Sequence, residues 1–287
     1  MGHGLAALLR AAHPGSTLAV TVATVALGAA VGRGPGGLVA VGLTQLATFL
    51  SIGWLSDYLD AGWDRTSGPA DESSAPDAAT RELVGACAVM AALVCVPLSA
   101  LSGPVAGVLQ ILVLTAGWGY ALGLKATAVS VLPYVVAFGL LPVVVLAGTP
   151  GVRPPPVWLI VAGAALGSGV HFATVLHDLR GSVPTGVRGL PHRLGATATR
   201  AGAAVLLVVA SAALALGPGV PTPPALGIVA VTTAVLVWGL VSPERRVLAG
   251  AVRIVVLLDV ALLLVGVAHS VGVTAIGTAT RGAGPLH

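Results

Sequence analysis

The sequence predicts an all-α protein that crosses a membrane about nine times as one helical bundle. Three observations lead there. Only 8% of the 287 residues are Asp, Glu, Lys or Arg, where ordinary soluble domains carry about 25%. Hydrophobic residues reach 56% and mean hydropathy is +0.99, more apolar surface than a soluble chain of this length can hide. The apolar residues also fall into runs of roughly 17–25, the length a helix needs to cross a hydrocarbon core of ~30 Å.

The runs lie near 16–32, 38–62, 83–101, 104–123, 126–148, 157–177, 200–217, 225–241 and 250–273. The first follows Arg10-Ala-Ala-His13-Pro14 and has no convincing cleavage site after it, so it is expected to be retained as a span. Runs three and four are separated only by Ser102-Gly103-Pro104, which predicts a tight helical hairpin. Runs seven and eight are joined by an uncharged Gly/Pro stretch from Gly217 to Pro224, and no break marks a second domain. Residues 1–287 are expected to form a single domain. Its two long loops are 65–82, rich in Ser, Asp and Pro, and 178–199, rich in Gly and Arg.

Charge orients the bundle. If the N-terminus is cytoplasmic, only Arg33, Arg153 and Arg281 of the 14 basic residues fall outside. Cytoplasmic loops collect Lys and Arg, so the N-terminus is expected inside, the C-terminus outside, and both long loops on the cytoplasmic face. Basic residues spread over loops in this way do not form a nucleic-acid patch, despite the net charge of +4. Cys87 and Cys95, eight apart in one apolar run, read as small buried residues. Among the ten acids only Asp259 lies deep inside a run rather than in a loop or at a helix end, and there it is a functional candidate by default. A structural ion pair across helices, with Arg253 six residues away, explains it equally well.

The most unusual stretch is Ser56-Asp57-Tyr58-Leu59-Asp60-Ala61-Gly62-Trp63-Asp64-Arg65, at the end of run two. Asp57, Asp60 and Asp64 are spaced i, i+3 and i+7, which puts them on one helix face. One reading is a helix end solvated by its carboxylates. Against it, the helix dipole disfavours acids at a C-terminus, and clustered like charges need a cation between them. Mg²⁺ takes one or two carboxylates together with phosphate oxygens, so the face suits a Mg²⁺-diphosphate. Asp178 ends run six. From Asp57 to Asp178 the chain crosses four times, through runs three to six, an even number, so it returns to the same side of the membrane. Tyr120 and Lys125, the only lysine, end run four. Lys125 is either a snorkelling lysine or a point charge that grips phosphate. Arg188, His192 and Arg193 either follow the positive-inside rule or close over a diphosphate. His171, His177 and His192 form no zinc pattern with a cysteine. Four of the 11 aromatic residues, Phe49, Trp54, Tyr58 and Trp63, lie in run two. They serve as interfacial belt residues or as faces that stabilise an allylic cation.

These residues resemble the UbiA superfamily of membrane prenyltransferases. The family's N-D-x-x-D-x-x-x-D is matched by Ser56-Asp57-x-x-Asp60-x-x-x-Asp64, followed by Arg65. Its Tyr-Ser-x-x-Leu-Lys is echoed by Tyr120-Ala-Leu-Gly-Leu124-Lys125, and the second acidic motif, D-x-x-x-D, by Asp178 alone. Thr185-Gly-Val-Arg-Gly-Leu-Pro-His-Arg-Leu-Gly195 resembles the loop that follows it in many actinobacterial members. The resemblance covers essentially the whole chain, with the motifs in order. It implies that Asp57, Asp60, Asp64 and Asp178 hold Mg²⁺, and that Ser56, Arg65, Tyr120, Lys125, Arg188 and Arg193 bind substrate. It also implies transfer of an isoprenyl group from an isoprenyl diphosphate to an aromatic or other lipophilic acceptor. Ser56 replaces the family's Asn, and Ser182 stands where the second motif's last Asp is expected; the loss in the second motif implies a weaker second metal site, with Arg180 sharing the charge neutralisation. A UbiA-like terpene cyclase working without an acceptor is the alternative reading. A transporter or non-catalytic membrane protein is the reading from another class.

Overall fold

The structure is a computed structural model. It describes residues 2–67, 78–151, 155–179, 188–217, 223–241, 247, 250–264 and 266–267, with backbone only at a few, among them 62–67 and 177–179. The described residues are helical throughout, joined by turns, with no strand among them.

Helix α1 (Gly2–Ala11) exposes Leu5 and Leu9 and rests on α3. It stops before Pro14, which has no N–H to donate and restricts the residue before it. That residue, His13, takes a left-handed φ of 45°. Thr17 Oγ1 donates to the Ala12 carbonyl at 2.7 Å and Ser16 Oγ to the His13 carbonyl at 3.0 Å, which fixes the corner into α2 (Pro14–Ala30). Gly53 of α3 gives α1 its seat, because a Cβ there would stand 3.0 Å from the Ala11 carbonyl oxygen. The Trp54 indole N–H donates to Leu8 O at 3.0 Å beside it.

Helix α3 (Pro35–Ser67) has 33 residues. At 1.5 Å per residue it extends roughly 50 Å, well beyond a ~30 Å hydrocarbon core. Its acidic C-terminal turns therefore reach past the apolar zone. Helices α4 (Ala78–Ala100) and α5 (Pro104–Leu122) form the expected tight hairpin, with Gly103 at φ 93°. Arg33, in the α2–α3 turn, is buried. It donates to Ser102 Oγ at 2.6 Å and Val145 O at 3.4 Å, tying three helix ends together. A buried polar seam joins α3, α4 and α5. Gln110 Nε2 donates to Gln45 Oε1 and Thr48 Oγ1, Trp118 donates to Ser51, and Ser51 to the Ala88 carbonyl.

The run expected as a helix from 126 begins only at Leu132. Gly123, at φ 152°, ends α5, a single 3₁₀ turn follows at Leu124–Ala126, and Pro133 then starts α6 (Leu132–Ala147). In α7 (Val157–Leu179), a Cβ at Gly163 would sit 2.3 Å from Phe138 O, so glycine sets the close α6–α7 approach. Helix α8 (Leu190–Leu216) begins ten residues before the run predicted from 200. Pro191 suits a first turn, and Thr199 Oγ1 reaches back to its carbonyl at 2.7 Å, bridging the break at Gly195. The loop expected over 178–199 is thus helical from Leu190, and that over 65–82 is helical through Ser67 and again from Ala78. Helix α9 (Pro223–Val241) and a last helical run over 250–264, here α10, complete the described bundle.

Among the described residues, five helices are long and apolar enough to cross a membrane, and three further apolar helices are shorter. Their outward faces are leucine and valine, as at Leu93, Val105 and Leu257. Asp259 has a different partner from the arginine expected. It is fully buried and bonded to Ser211 of α8, while Arg253 is exposed.

Candidate functional site

Asp57 and Asp60 lie one turn apart on α3, about half exposed. Each meets a basic side chain from elsewhere in the chain. His13 Nε2 is 3.0 Å from Asp57 Oδ1, and Lys125 Nζ pairs with Asp60 Oδ1. The Asp57 hydrogen bond raises the His13 pKa above its ordinary 6.5, partial burial opposes it, and the negative charge of Asp57 and Asp60 adds to the rise. Local backbone explains why these groups arrive. The break at Gly123 swings Lys125 out of α5 towards α3, and the Pro14 corner turns His13 towards Asp57. Ser56 is half-buried beside them. Arg81 of α4 covers the Tyr58 ring at 4.2 Å and donates to its carbonyl at 3.1 Å, which braces this end of α3.

The start of α8 closes on the same place. A Cβ at Gly189 would stand 2.5 Å from Lys125 O, so the loop lies directly on the Lys125 backbone. Leu190 N–H donates to Ser130 Oγ at 2.9 Å. Arg193 donates through Nε to Arg188 O at 2.9 Å and through Nη2 to Ala126 O at 3.5 Å. Arg188 and Arg193 are both exposed beside the lysine.

Beneath this charged rim lies an aromatic box that sequence reading missed. The buried His171 ring of α7 stacks on Tyr134 of α6 at 4.4 Å and meets Tyr120 edge-on at 5.7 Å. The two tyrosines are edge-to-face at 5.1 Å and share a hydrogen bond. Phe138 stacks on Tyr134 at 6.1 Å, and Ser130 Oγ lies 3.4 Å from His171 Nε2. One signal was available. His171 precedes Asp178 by seven residues, two helical turns, and so shares its face.

Of the predicted residues, Asp57, Asp60 and Lys125 come together directly, Arg188 and Arg193 join through the backbone, and Tyr120 lies in the box below. Asp64 and Arg65 continue α3 by one turn and Asp178 ends α7, but their side chains lie outside the described residues, as do Arg180 and Ser182. Among the described residues no three metal-type side chains converge. The donors that are described nevertheless suit a hard divalent cation. They are carboxylate oxygens on one face, each already facing a basic side chain that compensates its charge.

The sequence matches no known protein-family profile and no curated protein. Solved structures do match. A digeranylgeranylglyceryl phosphate synthase is 16% identical, with 92% of this chain and 99% of that chain covered at a TM-score of 0.62. A UbiA homolog from Archaeoglobus fulgidus bound to GPP and Mg²⁺ is 13% identical, with 91% and 99% covered at 0.65. The apo structure of a UbiA homolog from Aeropyrum pernix K1 is 18% identical, with 90% and 96% covered at 0.55. The chain has the fold of these UbiA homologues over nearly its full length.

Proposed function

We propose that the chain is a UbiA-superfamily enzyme, a single membrane-embedded domain. In this reading it transfers an isoprenyl group from an isoprenyl diphosphate to an aromatic or other lipophilic acceptor. The observation that carries the reading is the convergence of Asp57, Asp60, Lys125 and the Arg188–Arg193 turn over an aromatic box, in a fold it shares with a homologue bound to GPP and Mg²⁺. The positive-inside asymmetry supports a cytoplasmic position for that end, with the N-terminus inside and the C-terminus outside.

In this reading Asp57, Asp60, Asp64 and Asp178 hold Mg²⁺. The ion supplies Lewis-acid stabilisation of the leaving diphosphate. Lys125 exchanges Asp60 for a diphosphate oxygen, and Arg188 and Arg193 close from the α8 side to offset the charge left on the diphosphate. Ser56 and Arg65 complete the substrate contacts at the rim, and Tyr120 completes those in the box beneath it. Tyr120, Tyr134 and Phe138 present π faces along the path of the isoprenyl chain, where they stabilise an allylic cation and exclude water that would quench it.

Pyrophosphate release by the purified protein, across a panel of prenyl diphosphates with and without Mg²⁺ and aromatic acceptors, tests the proposal. Release that needs both Mg²⁺ and an acceptor is expected. Hydrocarbon or terpene alcohol formed without acceptor would instead make the chain a cyclase. Substrate flux in proteoliposomes with no pyrophosphate released would make it a transporter.

A further inference from the structure

The opposite end of the bundle contains a polar layer with no part in the proposed reaction. Leu207 of α8, Leu236 of α9 and Val255 of α10 form one buried cluster. One turn along each helix stand Ser211, Thr232 and Asp259, all fully buried. The direction agrees in all three, because α9 runs antiparallel to α8 and α10. A turn further on, Leu214, Ile228 and Leu262 close a second apolar cluster. A carboxyl and two hydroxyls are thus sealed between two hydrocarbon layers.

Their hydrogen bonds do not balance for a charged aspartate. Ser211 Oγ lies 2.5 Å from Asp259 Oδ1 and 3.1 Å from Leu207 O. A serine hydroxyl carries one proton, so it cannot donate to both. If Asp259 carries a proton, both contacts become bonds: Asp259 donates to Ser211, and Ser211 donates to Leu207 O. The second oxygen of Asp259 points to the same state. Thr21, Thr24, Thr44, Thr48, Thr115, Thr149, Thr174 and Thr233 each donate to the carbonyl four residues back. Thr232 does not, and among the described residues neither its Oγ1 nor Asp259 Oδ2 has a partner. A buried carboxyl oxygen with no donor is costlier when charged, which favours the neutral acid.

No charged side chain among the described residues faces Asp259 from α7, α8 or α9. On α10 itself Arg253 is exposed, and the buried Arg33 is engaged by Ser102 and Val145. An ionised carboxylate with no counter-ion is strongly disfavoured in hydrocarbon.

We propose that Ser211 and Asp259 form an intramembrane proton-binding site, in which Asp259 is held as the neutral acid and joins α8 to α10. The folded chain then binds one more proton than the unfolded chain, so its stability falls as pH rises.

Infrared difference spectroscopy on full-length protein tests this. With ¹³C-labelled aspartate, wild type is expected to show at neutral pH the carbonyl stretch of a protonated carboxylic acid, absent from Asp259→Asn and displaced in Ser211→Ala. Asparagine keeps a donor on one side and an acceptor on the other, so Asp259→Asn should melt with wild type at neutral pH and lose the fall in stability at alkaline pH. Asp259→Ala should melt lower. A carboxylate band without the acid band in folded wild type would overturn the proposal. Melting that rises with added Na⁺ would overturn it in favour of a cation site, and Asp259→Asn melting as low as Asp259→Ala would also overturn it. Absence of the acid band from the labelled wild type overturns the proposal even if no variant folds.

Discussion

Two carboxylate settings in this protein compensate their charge in opposite ways. On α3, Asp57 and Asp60 are half exposed, and each meets a basic side chain brought in by a break in another helix. On α10, Asp259 is sealed in the bundle and, among the described residues, meets only the Ser211 hydroxyl. Near water a carboxylate stays ionised and recruits counter-charge, and that counter-charge is free to exchange for a metal and a diphosphate. Without water or a cation, the carboxyl compensates by keeping its proton and becomes a fixed link between helices. The first setting suits chemistry because its partners can leave. The second suits structure because they cannot.

That contrast can be broken at either end. The largest effect is expected from Asp60→Ala, which should lower Mg²⁺-dependent pyrophosphate release by about 10²–10³-fold while leaving the melting temperature close to wild type. Full turnover in this variant would remove α3 from the reaction. Stripping Mg²⁺ with a chelator should do the same to wild type, and re-addition should restore it. Gly189→Ala leaves every charged group in place but pushes the α8 turn off Lys125. The resulting misplacement of Arg188 and Arg193 should cost up to ~100-fold in kcat/KM, and unchanged kinetics would show that the turn does not need its close seat. At the other carboxylate, Asp259→Ala should cost about 1–3 kcal/mol of stability by leaving the buried Ser211 without its partner, read in a denaturation series, with kcat intact. The smallest effect belongs to His13→Gln. Its pair with Asp57 is half exposed, so no more than about 1 kcal/mol is expected. A larger loss would mean that α1 is held chiefly through this contact.

Much of the bundle was legible in advance because apolar length and loop chemistry are local properties. The Ser102-Gly103-Pro104 hairpin appears where it was expected. The start of α6 was less legible. Residues 126–131 are as apolar as a span, but Gly123 and the 3₁₀ turn after it redirect the chain, and hydropathy does not register backbone direction. The start of α8 failed for the opposite reason, since Leu190–Thr199 is too polar and Gly-rich to score as a span yet folds as helix on the Ser130 and Lys125 surface. At the site, the i, i+3, i+7 acids and the lone lysine stood out because charges are rare in this chain. Ser130, Tyr134 and His171 did not, because a serine, a tyrosine and a histidine in apolar runs look ordinary until the turn before α6 and two helices bring them together.

By itself, the sequence determined that the chain is helical, that it is bound for a membrane, and that three of its acids share one helix face. Those follow from composition and from periodicity along a single element. Only the tertiary structure decided which basic group each acid meets, that the Arg188–Arg193 turn lies against Lys125, and that Asp259 has Ser211 rather than Arg253 for a partner. Those pairings join residues 44 to 67 positions apart. They depend on where helices begin, break and cross, and spacing along one helix carries no record of that.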